Sequence, residues 1–184
     1  MRLFLITFLF SFWVYGQGTP NPYVLFPAGC TPDPNEQHTA ANAASDPNCN
    51  EADDTAGWTN AAGEGSFTSD ATDPAVGGHA LKKQTTGGSA SYCFFSLSVT
   101  NGDTFTVTYK IKSTQGSLAR SQSWTNVTGE TNRTPTSTWT EYTENITATA
   151  TGTAQIRFYA SINTSGVNGD NIFVDDLSII KTNQ

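Results

Sequence analysis

From residue 104 to residue 111 the chain reads Thr-Phe-Thr-Val-Thr-Tyr-Lys-Ile. Phe105, Val107, Tyr109 and Ile111 alternate with Thr104, Thr106, Thr108 and Lys110. A period of two places the large apolar side chains on one face of a strand and the polar ones on the other. Such a strand must cover its apolar face with a second layer. The signature recurs along the chain. In residues 91–99, Cys93, Phe95, Leu97 and Val99 point one way, and Tyr92, Phe94 and Ser96 the other. In residues 155–160, Ile156 and Phe158 oppose Arg157 and Tyr159. Residues 65–68, 79–84 and 139–147 read as further strands, and residues 118–127 as a polar one. Turn residues separate them, as at Asn101-Gly102-Asp103 and in residues 163–170. Residues 40–44 hold at most one helical turn. About eight short strands without a convincing helix predict an all-β chain folded as an antiparallel two-sheet β-sandwich, a jelly roll.

The last strand poses a problem. Residues 171–180 read Asn-Ile-Phe-Val-Asp-Asp-Leu-Ser-Ile-Ile. Strict alternation puts either Asp176 with Ile172 and Val174, or Asp175 with Phe173, Leu177 and Ile179. A carboxylate shares a face with core residues in both registers. A bulge at the pair, or a cation beside the strand, resolves the conflict.

Residues 1–16 have the form of a secretory signal: Arg2, an apolar segment from residue 3 to residue 14, and Val14-Tyr15-Gly16 before Gln17. The apolar segment is too short to span a bilayer. Residues 17–49 are an irregular leader rich in Pro, Asn and Asp, and residues 50–184 form the patterned domain. The net charge is -7, becoming -8 when Arg2 leaves with the signal. With no cluster of Lys or Arg, nucleic acid and anionic membranes are poor partners. Export exposes three cysteines to an oxidising compartment. Cys30 and Cys49 share the leader, where a bridge would tie down a loop. Cys93 lies in phase with Phe95 and Leu97 and reads as a buried free thiol.

Several stretches taken in order resemble a known family. They are Asn50-Glu51, Gly57-Trp58, His79-Ala80-Leu81-Lys82, Gly102-Asp103-Thr104-Phe105, Thr138-Trp139-Thr140-Glu141-Tyr142, Ile156-Arg157-Phe158-Tyr159 and Phe173-Val174-Asp175-Asp176-Leu177. Their order and spacing resemble the jelly-roll carbohydrate-binding modules of the galactose-binding-like group, which accompany secreted xylanases, cellulases and laminarinases. The leader is similar to those of modules in secreted proteins of Bacteroidetes. The resemblance implies a secreted, extracellular or cell-surface module. It also implies a structural calcium where the first and last strands meet. A hard cation needs several oxygens. Asp175 or Asp176 would supply them from the last strand, and Glu51, Asp53 or Asp54 from the opening. This chain has Glu51-Ala52-Asp53 where the family carries Phe-Glu after its opening Asn.

Sugar recognition needs flat aromatic faces and planar hydrogen-bonding groups. The candidates are Trp124 with Arg120, and Tyr159 with Arg157, each pair spaced by an even number of residues. Tyr92 is a lesser candidate, and Trp58 and Trp139 read as core. His38 and His79 are the only histidines, and no nucleophile elbow or zinc-protease motif is present. The chain therefore reads as a non-catalytic polysaccharide-binding module rather than an enzyme. The alternative is a structural or adhesive subunit of a cell surface or matrix, working with other proteins there and having no sugar site. Four Asn-x-Ser/Thr triplets, at Asn126, Asn132, Asn145 and Asn163, are weak matches to a glycosylation signal.

Overall fold

A computed structural model describes residues 37, 55, 57–61, 65–76, 78–87, 90–114, 119–162 and 169–183. The strands, in chain order, are β1 (Trp58–Ala61), β2 (Phe67–Asp70), β3 (Ala80–Gln84), β4 (Ser91–Val99), β5 (Thr104–Ser113), β6 (Arg120–Ser121), β7 (Val127–Thr128), β8 (Thr140–Ala148), β9 (Gly152–Ser161) and β10 (Asn171–Lys181). They build a four-stranded sheet, β1-β4-β9-β6, and a six-stranded sheet, β2-β3-β10-β5-β8-β7. Every named pairing is antiparallel. The expected two-sheet β-sandwich is the architecture found. No described helix is long and apolar enough to cross a membrane.

The alternating residues meet between the sheets. Phe105, Val107, Tyr109 and Ile111 come from β5, Cys93, Leu97 and Val99 from β4, and Ile156 and Phe158 from β9. Phe158 packs edge-on against Tyr109 across the interface, with centroids 5.1 Å apart. Burying a side chain of this size stabilises the fold by roughly 1.5–3 kcal/mol. Cys93 is fully buried and free, and its desolvation pushes the thiol pKa up to about 12. Cys30 and Cys49 lie outside the described residues. So does the signal segment, and of the leader only Gln37 is described; its amide donates to Ile179 O at 2.8 Å.

The conflict in the last strand is settled by a bulge. Asp175 pairs with Lys110 and Ser178 with Thr108, so β10 carries one residue more than β5 over that interval. Asp176 takes up the extra length with φ of 52°, a conformation for which Asp is better suited than most residues. Before the bulge Ile172 and Val174 face the core; after it Leu177 and Ile179 do. Gly65 meets a comparable constraint at the end of β3. Its φ is +84°, and a Cβ there would sit 1.7 Å from Gln84 O.

Residues 118–127 depart from expectation. They do not form one strand. β6 belongs to the four-stranded sheet and β7 to the six-stranded one, and the chain crosses between them. Ser123 and Asn126 have φ of 56° and 58° in this crossing. Even spacing between Arg120 and Trp124 therefore no longer means a shared face. Trp139 also departs from its expected core position. It precedes β8 on the outside of the six-stranded sheet, half-buried against Phe173.

Candidate functional site

Cross-strand register collects one group of side chains on the outer face of the four-stranded sheet. Tyr92 pairs with Tyr159, and Phe94 with Arg157. Strand parity turns all four away from the core, because their neighbours Cys93, Phe158 and Ile156 fill it. The Tyr92 and Tyr159 rings stack at 4.7 Å with 29° between planes. Phe94 continues the ledge, 6.2 Å from Tyr92. The guanidinium of Arg157 lies over the Tyr92 ring, 5.2 Å from its centroid. Gln155 Oε1 accepts from both Nε and Nη2 of Arg157, at 2.9 and 2.6 Å. The ring and the amide together fix the plane of the guanidinium and leave the rest of its donor fork uncommitted among described partners. Thr125 bridges to Gln155 at the next row.

Of the residues expected from sequence, Arg157 and Tyr159 are brought together here. The backbone at Arg120 pairs with Tyr159, so that position belongs to the same row. Tyr159 is not itself the open platform. It is 8% exposed and forms the base on which the half-buried Tyr92 stacks. Trp124 is a correction. It is 5% exposed, packs between Tyr109 and Phe158, and donates Nε1–H to Arg157 O at 3.1 Å. The positive φ at Ser123 turns its ring inward, so it supports Arg157 from beneath rather than meeting a ligand. Tyr92, Phe94 and Gln155 are the functional residues undervalued by sequence. Their signal was available: each is opposite in phase to core residues on a long strand.

The carboxylate pair of β10 has a different setting. Asp175 is fully buried; its Oδ2 accepts from Ala75 N and Val76 N at 2.7 and 3.0 Å, and its Oδ1 from Asp176 N at 2.8 Å. Asp176 Oδ2 accepts from Lys110 Nζ at 2.8 Å. These oxygens serve N–H and ammonium donors, and an ammonium at that distance opposes a second cation. The described oxygens at this end are thus taken by N–H and ammonium donors. Glu51, Asp53 and Asp54 lie outside the described residues.

A cleft of about 340 Å³ opens on the outer face of the six-stranded sheet, lined by Asp70, Thr72, Asp73, Lys82, Lys112 and Phe173 among others. Its charges are spent on each other. Lys82 bonds Asp70 at 3.1 Å, and Lys112 bonds both the carboxylate and the carbonyl of Asp73. Both ammoniums also lie against the Phe173 ring. Thr72 and Lys82 hold the Asp70 carboxyl down to about 2. No group of three or more potential metal ligands occurs among the described residues.

Comparison with solved structures identifies the architecture. The CBM22-1 xylan-binding domain of Paenibacillus barcinonensis Xyn10C superposes with a TM-score of 0.55 at 14% identity, over 71% of this chain and 89% of that one. The N-terminal cellulose-binding domain of Cellulomonas fimi β-1,4-glucanase C gives 0.51 at 18% identity, over 72% and 93%. The fold is the jelly roll of carbohydrate-binding modules. No family model and no curated protein matches the chain.

Proposed function

We propose that this chain is a secreted, non-catalytic polysaccharide-binding module that receives its ligand on the outer face of the four-stranded sheet. The observation that carries the reading is the ledge of Tyr92, Phe94 and Tyr159 with a guanidinium held in plane beside it. Aromatic rings offer C–H surfaces to pyranose rings, and a fixed planar donor selects hydroxyl or acidic oxygens. The shared fold of modules described as xylan-binding and cellulose-binding supports the same reading. The half-buried Tyr92 is the contact ring, Tyr159 its base, and Arg157 the donor. A shallow surface of this kind gives weak affinity, on the order of micromolar to millimolar.

The test is affinity electrophoresis of the chain lacking residues 1–16 through gels containing individual polysaccharides, alongside Tyr92→Ala. Retardation of the parent chain, and its loss by at least about tenfold in affinity at an unchanged melting temperature, is the expected result. If no polysaccharide retards the parent chain, the structural or adhesive role replaces this one.

A further inference from the structure

The two sheets treat charge differently, and the difference names a ligand class. The strands of the four-stranded sheet contain no Asp or Glu at all. They contain Arg120 and Arg157. This occurs in a chain with sixteen acidic residues and a net charge of -7. Elsewhere among the described residues the cations that reach the surface are matched to carboxylates: Lys82 to Asp70, Lys110 to Asp176, Lys112 to Asp73, Lys181 to Asp103 and Arg133 to Glu144, while Lys83 is buried against Asn60 Oδ1. Arg157 forms no such pair among the described residues. Its described partners are a neutral amide and a ring face. An arginine planted on an aromatic ring and braced by glutamine is oriented, and no described carboxylate neutralises it.

We propose, building on the polysaccharide-binding reading, that this face selects an anionic glycan, with Arg157 receiving an oxyanion of the chain while Tyr92 and Phe94 receive its sugar rings. The oxyanion is a uronate carboxylate or a sulfate ester; a guanidinium fork pairs with the planar oxygens of the first and the tetrahedral oxygens of the second. Arg120, opposite Tyr159 in the backbone register, places a second cationic residue on the same row. Charge on the rest of the acidic chain does not forbid this. At physiological ionic strength the Debye length is about 8 Å, so carboxylates on the other sheet are screened from the ligand while a contact pair at Arg157 is not.

Affinity electrophoresis and calorimetry decide the matter with four probes: polygalacturonate, dextran sulfate, xylan stripped of uronic acid, and hydroxyethylcellulose. The parent chain is compared with Arg157→Gln, Arg157→Lys and, as a control on the other sheet, Lys82→Gln. The expected result is binding to at least one anionic probe, and to the neutral ones at least tenfold more weakly. Arg157→Gln then loses at least tenfold for the anionic probe, Arg157→Lys loses less, and Lys82→Gln loses nothing. Polygalacturonate alone identifies the carboxylate as the ligand group, and dextran sulfate alone the sulfate. Equal binding to neutral probes that is indifferent to Arg157→Gln overturns the anionic assignment and leaves the polysaccharide-binding reading standing. Retention of none of the four, with the melting temperature showing a folded chain, overturns both.

Discussion

The outer faces of the two sheets carry opposite economies of charge. Lys82, Lys83, Lys110, Lys112 and Lys181, every lysine of the chain, lie in the six-stranded sheet. That sheet also holds Asp70, Glu141, Glu144, Asp175 and Asp176. On its outward face ammonium meets carboxylate across neighbouring strands, Lys82 with Asp70 and Lys110 with both Glu141 and Asp176. The four-stranded sheet has arginine and no acid. Its outward polarity comes from Thr, Ser and Gln, and its rings stand in a stacked ledge. A satisfied surface has little to gain from a ligand. One that fixes a donor without satisfying it has kept its interaction for something else. The cleft on the six-stranded sheet is the deeper-looking feature, yet its lysines are already engaged.

The largest expected effect tests whether Trp124 belongs to either face. Trp124→Ala removes a buried indole from between Tyr109 and Phe158, which costs about 3–5 kcal/mol. Thermal unfolding should show the midpoint falling by on the order of 10 °C. A midpoint that holds while polysaccharide binding disappears would return Trp124 to the ligand surface.

Next comes Asp175→Ala. It strips the partner from the amides of Ala75, Val76 and Asp176 and costs about 2–4 kcal/mol in denaturant unfolding. Excess chelator should leave the parent chain's melting curve where it is, since these oxygens are held by N–H groups. A curve that drops on chelation and recovers with calcium would show that an ion holds the strand instead.

The paired face also has a signature in acid. The folded Asp70 carboxyl titrates near 2, below its usual 3.8, chiefly through hydrogen bonds from Thr72 and then through Lys82. A depressed carboxylate contributes stability that is fully present above the unfolded pKa. That contribution fades as pH falls from about 4 towards 2, and solvent screening holds it to about 1 kcal/mol or less. The loss should shrink in Asp70→Asn. An identical acid profile in the variant would mean that the network on this face is not coupled to folding.

The smallest effect is the sharpest contrast. Lys112→Met should change stability by less than about 1 kcal/mol, because its aspartate partner is largely exposed. Arg157→Gln should change it by no more than about 0.5 kcal/mol. Only the second should alter polysaccharide binding. A loss of binding in both would abolish the distinction between the faces.

Most of the sandwich could be read from period-two alternation, because long strands repeat their message. Residues 91–99 coincide with β4, and residues 104–111 lie inside β5. The conflict at Asp175-Asp176 announced its own bulge. The errors fell where the backbone leaves that period. Parity from Arg120 to Trp124 assumes a continuous strand, and the positive φ angles at Ser123 and Asn126 break it. Neither residue is glycine, so nothing in their identity demanded the turn. Trp139 reads as core from its place at a strand entry, but it stands outside with its indole on Asp73 O and Lys112 beneath its ring. The site was half legible. Arg157 and Tyr159 were found by phase, while the brace from Gln155 and the exposure of Tyr92 over Tyr159 depend on cross-strand register, which a single strand does not encode.

The bulge in β10 makes the protein's tolerance of length uneven. A strand counts its residues in twos, and the extra residue at Asp176 is the odd count that lets Val174 and Leu177 look the same way. Replacing Asp176 changes a side chain. Deleting it would restore strict alternation and leave Leu177 and Ile179 facing the core beside Ile172 and Val174, at the cost of the Asp176–Lys110 pair. Deleting Ser178 instead would turn Ile179 outward, and no substitution would turn it back. Sequences descended from this one should therefore lose a residue at 176 more readily than at Ser178.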